Sequence, residues 1–218
     1  MNLKQLITTI LIAAATFSGA THADTVYSNA DDGTNAIAYM GEPDTTSYGQ
    51  FFTAPGGFLK DFSFHAVSGT SGDVAFVVAA WDGSKAVGPA LYTSAPINYE
   101  GGSQFLGASG INLALTAGTD YIAYLTVANI AAPLSYVTIA GSDTATGLGG
   151  GFRYLNSELV DPLTLNNDWS DYSTLHMAYT ATFGPATATA VPEPGTYVML
   201  LAGMGMMGVV ARRRKNQG

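Results

Sequence analysis

The sequence predicts an all-β fold, an antiparallel β-sandwich or jelly roll, for the body of the chain at residues 24–183. Short runs of β-prone residues are separated by Gly, Pro, Asn and Asp, the residues that tight turns favour. Only 11% of the residues are charged, 26 are Gly, and no convincing amphipathic helix occurs in the body. Several such strands in one domain, at a spacing of about 8–15 residues, favour a sandwich.

The first strand predictions rest on side-chain patterning. Residues 58–66 alternate, so that one face carries Phe62, Phe64 and Ala66. Residues 73–81 are apolar on both faces, which is expected of a central strand that is covered on both sides. This strand ends at Asp82-Gly83, a tight-turn dipeptide.

The later strands are predicted in the same way. Residues 111–115 and 120–127 are expected to pair with each other around Ala117-Gly118-Thr119. Residues 175–183 are expected to form the last strand. One face of that strand would carry Leu175, Met177, Tyr179, Ala181 and Phe183.

Residues 1–23 have the organisation of a secretory signal peptide with a short helix. Lys4 supplies the positive start, an apolar stretch follows at residues 6–17, and Thr21-His22-Ala23 places small residues before a cleavage site. The apolar stretch is shorter than the roughly 20 residues that a membrane span needs. We therefore expect cleavage between Ala23 and Asp24 and export of the body.

The composition of the body excludes several classes of function. Residues 24–190 carry Lys60, Lys85 and Arg153 against fifteen carboxylates, a formal charge of −12. Such a surface offers no cationic footprint for nucleic acid. The chain contains no Cys, which removes disulfides, thiolate zinc sites, iron–sulfur clusters and cysteine nucleophiles.

The C-terminal end carries a composite signal. A small-residue linker at 184–190 leads to Pro192-Glu193-Pro194, and an uncharged run follows at 196–211. An α-helix over that run would be about 24 Å long, a short transmembrane helix. The run ends in a basic cluster that should stay on the cytoplasmic side, consisting of Arg212, Arg213, Arg214 and Lys215.

The order of motif, apolar helix and basic cluster over residues 191–218 resembles the PEP-CTERM sorting signal. The resemblance implies recognition by an exosortase, a membrane-embedded cysteine transpeptidase, after handling by the secretion machinery. It further implies an intermediate anchored in the inner membrane, cleavage near the motif, and delivery to the cell surface or the extracellular matrix. Proteins of this kind come from Gram-negative bacteria that also make extracellular polysaccharide, the material of a biofilm matrix. The alternative is an ordinary C-terminal anchor, in which the prolines only end secondary structure.

A second, looser resemblance concerns the body. The body looks like the sandwich domains that often precede this sorting tail, over residues 50–55 and 58–64, Trp81-Asp82-Gly83, Ala90-Leu91-Tyr92 and residues 117–121. Such domains carry no agreed activity, so this resemblance implies a fold and no chemistry.

Catalytic motifs do not stand out in the sequence. There is no G-x-S-x-G and no H-E-x-x-H, and His65 and His176 occupy outward positions of predicted strands, where a surface imidazole is expected. We therefore predict no catalytic residues and no enzyme activity. A pair of carboxylates for glycoside hydrolysis remains an open alternative, because the sequence does not show which of the fifteen acidic side chains lie close together in the fold.

Two acidic loops contain candidate calcium ligands, and calcium is the only cofactor that the sequence suggests. Calcium takes six to eight oxygen ligands from loops of this kind, although neither loop has EF-hand spacing and acidic surface turns are the commoner explanation. The first loop surrounds Gly33 and the second runs from residue 161 to residue 171. The candidate ligands are Asp31, Asp32, Asp168 and Asp171.

Aromatic residues in the second loop are candidate carbohydrate contacts. Trp169 and Tyr172, with Tyr99 and Tyr154 elsewhere, would bind sugar rings if their faces were exposed beside amide and carboxylate groups. The alternative is burial in the core with one polar atom satisfied, which we expect for Trp81.

These observations favour an exported, non-enzymatic protein with structural or adhesive work at the cell surface or in the polysaccharide matrix. The first alternative is a carbohydrate-binding module of that matrix, and the second is an exported glycoside hydrolase.

Overall fold

The computed structural model describes residues 23–33, 35–43, 45–171 and 174–185. The predicted signal helix and C-terminal membrane helix lie outside these ranges, and no helix within them is long and apolar enough to cross a membrane. The described part consists of β-strands and one short 3-10 helix, Ala30–Asp32. The strands are β1 (Thr25–Ser28), β2 (Asn35–Met40), β3 (Ser47–Thr53), β4 (Gly57–Gly69), β5 (Gly72–Trp81), β6 (Ala86–Thr93), β7 (Ile97–Tyr99), β8 (Gln104–Ala108), β9 (Leu113–Leu115), β10 (Asp120–Thr126), β11 (Val137–Ser142), β12 (Gly151–Leu155), β13 (Ser170–Asp171), β14 (His176–Met177) and β15 (Tyr179–Gly184).

These strands form two antiparallel sheets. The first sheet has eight strands in the order β1-β15-β4-β11-β14, with β2 beside β11 and with β8 and β9 beside β4. The second has seven strands in the order β13-β12-β3-β10-β5-β6, with β7 beside β5. The all-β fold class predicted from the sequence is confirmed.

The two clearest strand predictions are confirmed. In β4 the side chains of Phe62, Phe64 and Ala66 are buried, while the residues between them are half-buried. Strand β5 lies between β10 and β6, and its residues 74–79 are buried on both faces. A strand with apolar residues on both faces needs a cover on each face. The inward side chains of β5 lie in the core between the two sheets, and its outward side chains lie in a separate apolar cluster.

One predicted pairing is wrong. Strand β9 pairs with β4 in the first sheet, whereas β10 lies between β3 and β5 in the second. The connection that contains Gly118 therefore passes from one sheet to the other. It is held by hydrogen bonds between Ala54 and both Gly118 and Thr119, and a local turn signal cannot distinguish this arch from a hairpin.

The last predicted strand is divided in two. Met177, Tyr179, Ala181 and Phe183 are buried on the predicted face, but the ladder changes partner at Ala178. Strand β14 pairs with β11, and β15 pairs with β4. Ala178 joins the two ladders, because its N–H donates to Ala140 and its carbonyl accepts from His65.

The protein has two apolar layers. The main core lies between the sheets and includes the inward side chains of β4, β5 and β10. A second cluster lies on the outer face of the second sheet, where Val77, Ile122 and Tyr124 contact residues that follow β12. We call residues 156–169, which connect β12 to β13, the covering loop. Its apolar residues Leu163, Leu165 and Trp169 bury that outer face.

Candidate functional site

The covering loop buries Trp169, the first predicted carbohydrate contact. Its side chain is 6% exposed and packs edge-to-face against Tyr124 at 5.3 Å and against Trp81 at 6.1 Å. The expectation of an open stacking face at Trp169 is therefore corrected. The outer face of the second sheet is apolar, and the indole covers it. Trp81 is buried in the same cluster, as expected.

The other aromatic candidates differ from one another. Tyr172 lies outside the described residues. Tyr99 is fully buried, and its hydroxyl donates to the carbonyl oxygen of Gly102. Tyr154 is half-buried and stacks on Phe152 with ring centroids 5.9 Å apart.

Tyr154 lines a cleft of about 290 Å³ between the margins of the two sheets. Its walls come from β2, β3 and β12, and its aromatic lining includes Tyr48 and Phe152. The Tyr48 hydroxyl donates to the carbonyl oxygen of Ala38 at 2.6 Å. Burial, with a smaller contribution from Tyr154, raises the pKa of Tyr48 to about 12. The cleft therefore has an uncharged aromatic wall, and the Tyr48 hydroxyl in this wall is already hydrogen-bonded to the protein backbone.

The acidic candidates do not gather into one site. Asp31, Asp168 and Asp171 are exposed, Asp168 accepts a hydrogen bond from Ser84 at 2.8 Å, and Asp171 lies opposite Arg153 in the strand ladder. The side chain of Asp32 lies outside the described part. Among the side chains that are described, no group of three or more His, Asp or Glu is placed to hold a metal ion. Calcium binding stays a prediction.

Both histidines are half-buried and paired rather than free on the surface. The Nε2 atom of His65 bonds to the Ser103 hydroxyl at 2.9 Å, and the ring stacks on Phe105 at 4.9 Å. The Nδ1 atom of His176 lies 3.2 Å from the side-chain amide nitrogen of Gln50. Because that amide nitrogen can only donate, Nδ1 accepts, and the neutral imidazole fits this position.

Both ends of the described body lie at one end of the first sheet. Strands β1 and β15 pair with Thr25 opposite Phe183, and Gly184 lies opposite Phe58. Asp24 at this end forms an ion pair with Lys60 at 2.7 Å. We call this end the terminal pole. The predicted cleavage point at Ala23 and the exit of the chain at Pro185 are therefore close together.

The opposite end carries an exposed pair of tyrosines, and we call it the tyrosine pole. Tyr39 is 72% exposed, Tyr136 is 37% exposed, and their ring centroids are 5.9 Å apart. Strand β11 lies between β2 and β4, and its Val137 pairs with Met40 on one side and with Gly69 on the other. The two tyrosines precede Met40 and Val137 in the chain, so both rings lie beside the β4–β5 turn. Gly69 lies eleven positions after Phe58 along β4, so the two poles are about 35 Å apart.

The backbone fixes the position of the two rings. The N–H of Tyr136 donates to the Thr70 hydroxyl, and its carbonyl accepts from the N–H of Thr70. Gly41 passes so close to Ser135 that a Cβ atom there would overlap the Ser135 carbonyl oxygen. Tyr39 adopts φ of +69°, a conformation that costs a non-glycine residue free energy. Strained residues of this kind often accompany functional surfaces.

Charge is distributed unequally between the poles. Lys60 lies at the terminal pole, Lys85 follows the end of β5 on that side, and Arg153 sits in mid-strand over the ring of Phe51 at 4.6 Å. These are the three cationic residues of the described body. The tyrosine pole carries carboxylates, namely Glu42, Asp73 and Glu100. An anionic partner would be repelled at this pole.

The tyrosine pair could not be predicted from the sequence. Tyr39 and Tyr136 are distant in sequence, and the two segments that carry them meet only through β11. The one local signal is a Tyr within the residues Tyr39-Met40-Gly41-Glu42-Pro43, which combine turn formers with an aromatic ring.

Comparison with solved structures finds weak likenesses. One is to the cysteine protease and lectin-like domains of Cwp84, a surface layer associated protein of Clostridium difficile, with 12% identity and a TM-score of 0.45 over 75% of this chain and 36% of that chain. Another is to a clostridial cysteine protease, Cwp84 after propeptide cleavage, with 14% identity and a TM-score of 0.47 over 75% of this chain and 40% of that chain. The chain spans well under half the length of these proteins, and likenesses of this size carry no weight for function.

Comparison at the level of sequence is more specific. No curated protein matches the chain. Residues 190–215 match the family model of the PEP-CTERM protein-sorting motif. They include the Pro-Glu-Pro triplet, the apolar run and the basic cluster that the sequence singled out. Such a motif implies exosortase-dependent sorting of an exported protein to the surface. The C-terminal end of this chain therefore carries a PEP-CTERM protein-sorting motif, as its sequence predicts.

Proposed function

We propose that the protein is a non-enzymatic component of the cell surface or of the extracellular polysaccharide matrix, with a structural or adhesive role. The observation that carries the proposal is the match of residues 190–215 to the sorting motif. The signal peptide, the membrane-anchored intermediate and the exosortase as partner belong to the same proposal. The absence of catalytic motifs from the sequence supports a role without chemistry.

The arrangement of the body supports an adhesive role. The chain enters and leaves at the terminal pole, and the exposed tyrosine rings lie about 35 Å away at the opposite pole. Attachment through the C-terminal segment would hold the terminal pole and leave the tyrosine pole available for contact. Exposed aromatic rings are enriched at interaction surfaces, because they bury a large area on contact.

Sorting is tested by changing the motif. In the native host, replacement of Pro192, Glu193 and Pro194 by Ala should leave the protein in the inner-membrane fraction, whereas the wild-type chain reaches the surface. Replacement of Thr189 by Ala, just before the motif, is the matched control and should leave sorting unchanged. Equal surface labelling of the motif variant and the wild type would refute the proposal.

The second candidate is carbohydrate binding, which the exposed Tyr39–Tyr136 pair favours. Rings held beside carboxylates, without cations, suit a neutral polysaccharide. A double variant, Tyr39→Ala with Tyr136→Ala, should reduce retention on polysaccharide extracted from the host. The control is Val26→Ala, because Val26 is 60% exposed but lies on β1. If the double variant is retained as well as the Val26 variant, the tyrosine pole does not bind the polysaccharide.

A further inference from the structure

A second cavity, of about 260 Å³, opens on the outer face of the second sheet. Ala75, Val77 and Tyr124 form its floor, and the covering loop contributes Asp161, Pro162 and Leu163. The end of β6 and the segment after β10 complete the walls. This cavity is separate from the tyrosine pair and from the cleft at Tyr154.

Hydrogen bonds fix the polar groups that line this cavity, and some of their donor and acceptor atoms stay unpaired within the described part of the chain. Asp161 accepts a hydrogen bond from the N–H of Leu163 through one carboxylate oxygen, at 2.9 Å, and the carbonyl of Asp161 accepts from Thr164. Ser94 is fixed to Phe76 by two hydrogen bonds, of 2.9 and 3.0 Å. The second carboxylate oxygen of Asp161 makes no hydrogen bond to the described residues.

Tyr124 is the unusual member of the lining. The residue as a whole is 1% exposed. Its hydroxyl makes no hydrogen bond within the described part of the chain, and it is not one of the buried unpaired polar atoms, so the oxygen borders the open cavity. Burial raises the pKa of Tyr124, and the nearby carboxylate of Asp161 raises it further. A protonated hydroxyl that borders an open cavity and has no partner in the described part of the chain can donate to a ligand that replaces the water there.

The lining of this cavity does not suit an anion, a calcium ion or the hydrolysis of a glycoside. It contains no Lys, Arg or His, so an anion would find no positive charge there and would be repelled by the carboxylate of Asp161. One carboxylate falls short of the six to eight oxygens that calcium requires, and short of the two carboxyl groups that glycoside hydrolysis requires. The volume of about 260 Å³ lies just below the roughly 300 Å³ at which small-molecule pockets usually begin, so the cavity has room only for a small ligand. What fits is a small neutral molecule that carries hydroxyl groups and has an apolar face.

We propose that this cavity binds a single neutral sugar residue, whose hydroxyl groups pair with Tyr124 and Asp161 and whose C–H face rests on Val77 and Leu163. The side-chain amide of Asn129, which also lines the cavity, offers a further donor and acceptor. The site binds without hydrolysing. This proposal goes beyond surface sorting and does not rest on it.

The test uses the full chain in a detergent without a sugar headgroup, with ligand binding followed by NMR titration. The probes are glucose, galactose, mannose, rhamnose and N-acetylglucosamine, with glucuronate as the anionic counterpart. At least one neutral sugar should bind, and glucuronate should bind at least tenfold more weakly. Tyr124→Phe, which removes only the hydroxyl, should weaken binding about two- to tenfold.

The matched control is Tyr92→Phe, because Tyr92 is half-buried on the inner side of β6 against Phe76. Asp161→Asn serves as a second variant, since an amide oxygen can still accept from Leu163. If no neutral sugar binds, or if Tyr124→Phe and Asp161→Asn both bind like Tyr92→Phe, the proposal is overturned. If only the tyrosine-pole double variant loses binding, the cavity proposal fails while carbohydrate binding by the protein stands. Surface sorting is unaffected by any of these outcomes.

Discussion

Replacement of Trp169 by Ala distinguishes a buried covering residue from an open sugar-binding platform. The indole is 6% exposed and contacts two other aromatic rings. Truncation of a buried Trp to Ala costs about 3–5 kcal/mol, and the edge-to-face pairs contribute to that loss. Since a domain of this size is stable by about 5–15 kcal/mol, the variant should lose a large fraction of its stability.

A second variant at the same position separates packing from hydrogen bonding. The Nε1 atom of Trp169 is buried and has no hydrogen-bond partner among the described residues. Trp169→Phe keeps a ring against Tyr124 and removes this unpaired donor. We therefore expect a loss of only about 1 kcal/mol, because the volume that is lost is partly offset by the removal of an unsatisfied group.

The assay is urea unfolding followed by far-ultraviolet circular dichroism, with the slope compared between variants. Trp169→Ala should shift the midpoint strongly at an unchanged slope. Tyr39→Ala is the control, because substitution of an exposed ring should change stability by no more than about 0.5 kcal/mol. Unchanged stability of Trp169→Ala, together with loss of polysaccharide retention, would refute the burial of the indole and restore the open platform.

Three further predictions concern the backbone and pH. Tyr39→Gly should stabilise the protein by about 0.5–1 kcal/mol in urea unfolding, because glycine adopts positive φ without strain, and a loss of stability would contradict this. Gly150→Ala should destabilise by at least about 2 kcal/mol in the same assay, because its Cβ would overlap a carbonyl oxygen of β3 at φ of +85°. Gly149→Ala, at φ of +65° with open space around it, should cost only about 1 kcal/mol, and equal losses would exclude the overlap as the cause. Burial lowers the pKa of His176 despite the opposing charge of Asp143. The folded protein therefore favours the neutral imidazole, and the contribution of His176 to stability is complete above the unfolded pKa of about 6.5 and is lost as the pH falls below that value. Unfolding free energies between pH 7 and 5 should therefore fall more steeply in wild type than in His176→Gln, and parallel curves would refute the shift.

The sequence predicts the elements whose side-chain pattern is local. The alternation around Phe62 and the doubly apolar run before Trp81 both correspond to strands of the structure. The sorting motif is equally local, since its three parts follow one another within residues 190–215. In each case the physical determinant, a period or an order of residue types, lies in one continuous stretch.

Features that depend on the pairing of distant segments could not be predicted. The residues around Gly118 fit a hairpin or an arch between sheets equally well, and only the partners β4 and β3 decide between them. The burial of Trp169 depends on the covering loop folding back over β5 and β10. For the same reason the cavity at Tyr124, which four separate segments line, has no signature in the sequence.

Export of the chain and its sorting through the C-terminal motif can be tested by measuring the intact mass of the protein in hosts with and without the exosortase. We predict that the surface form from the complete host begins at Asp24 and lacks Arg212, Arg213 and Arg214. The host without the enzyme should retain these three arginines on a membrane-bound form. A mature protein that keeps the three arginines in both hosts would rule out sorting by the exosortase.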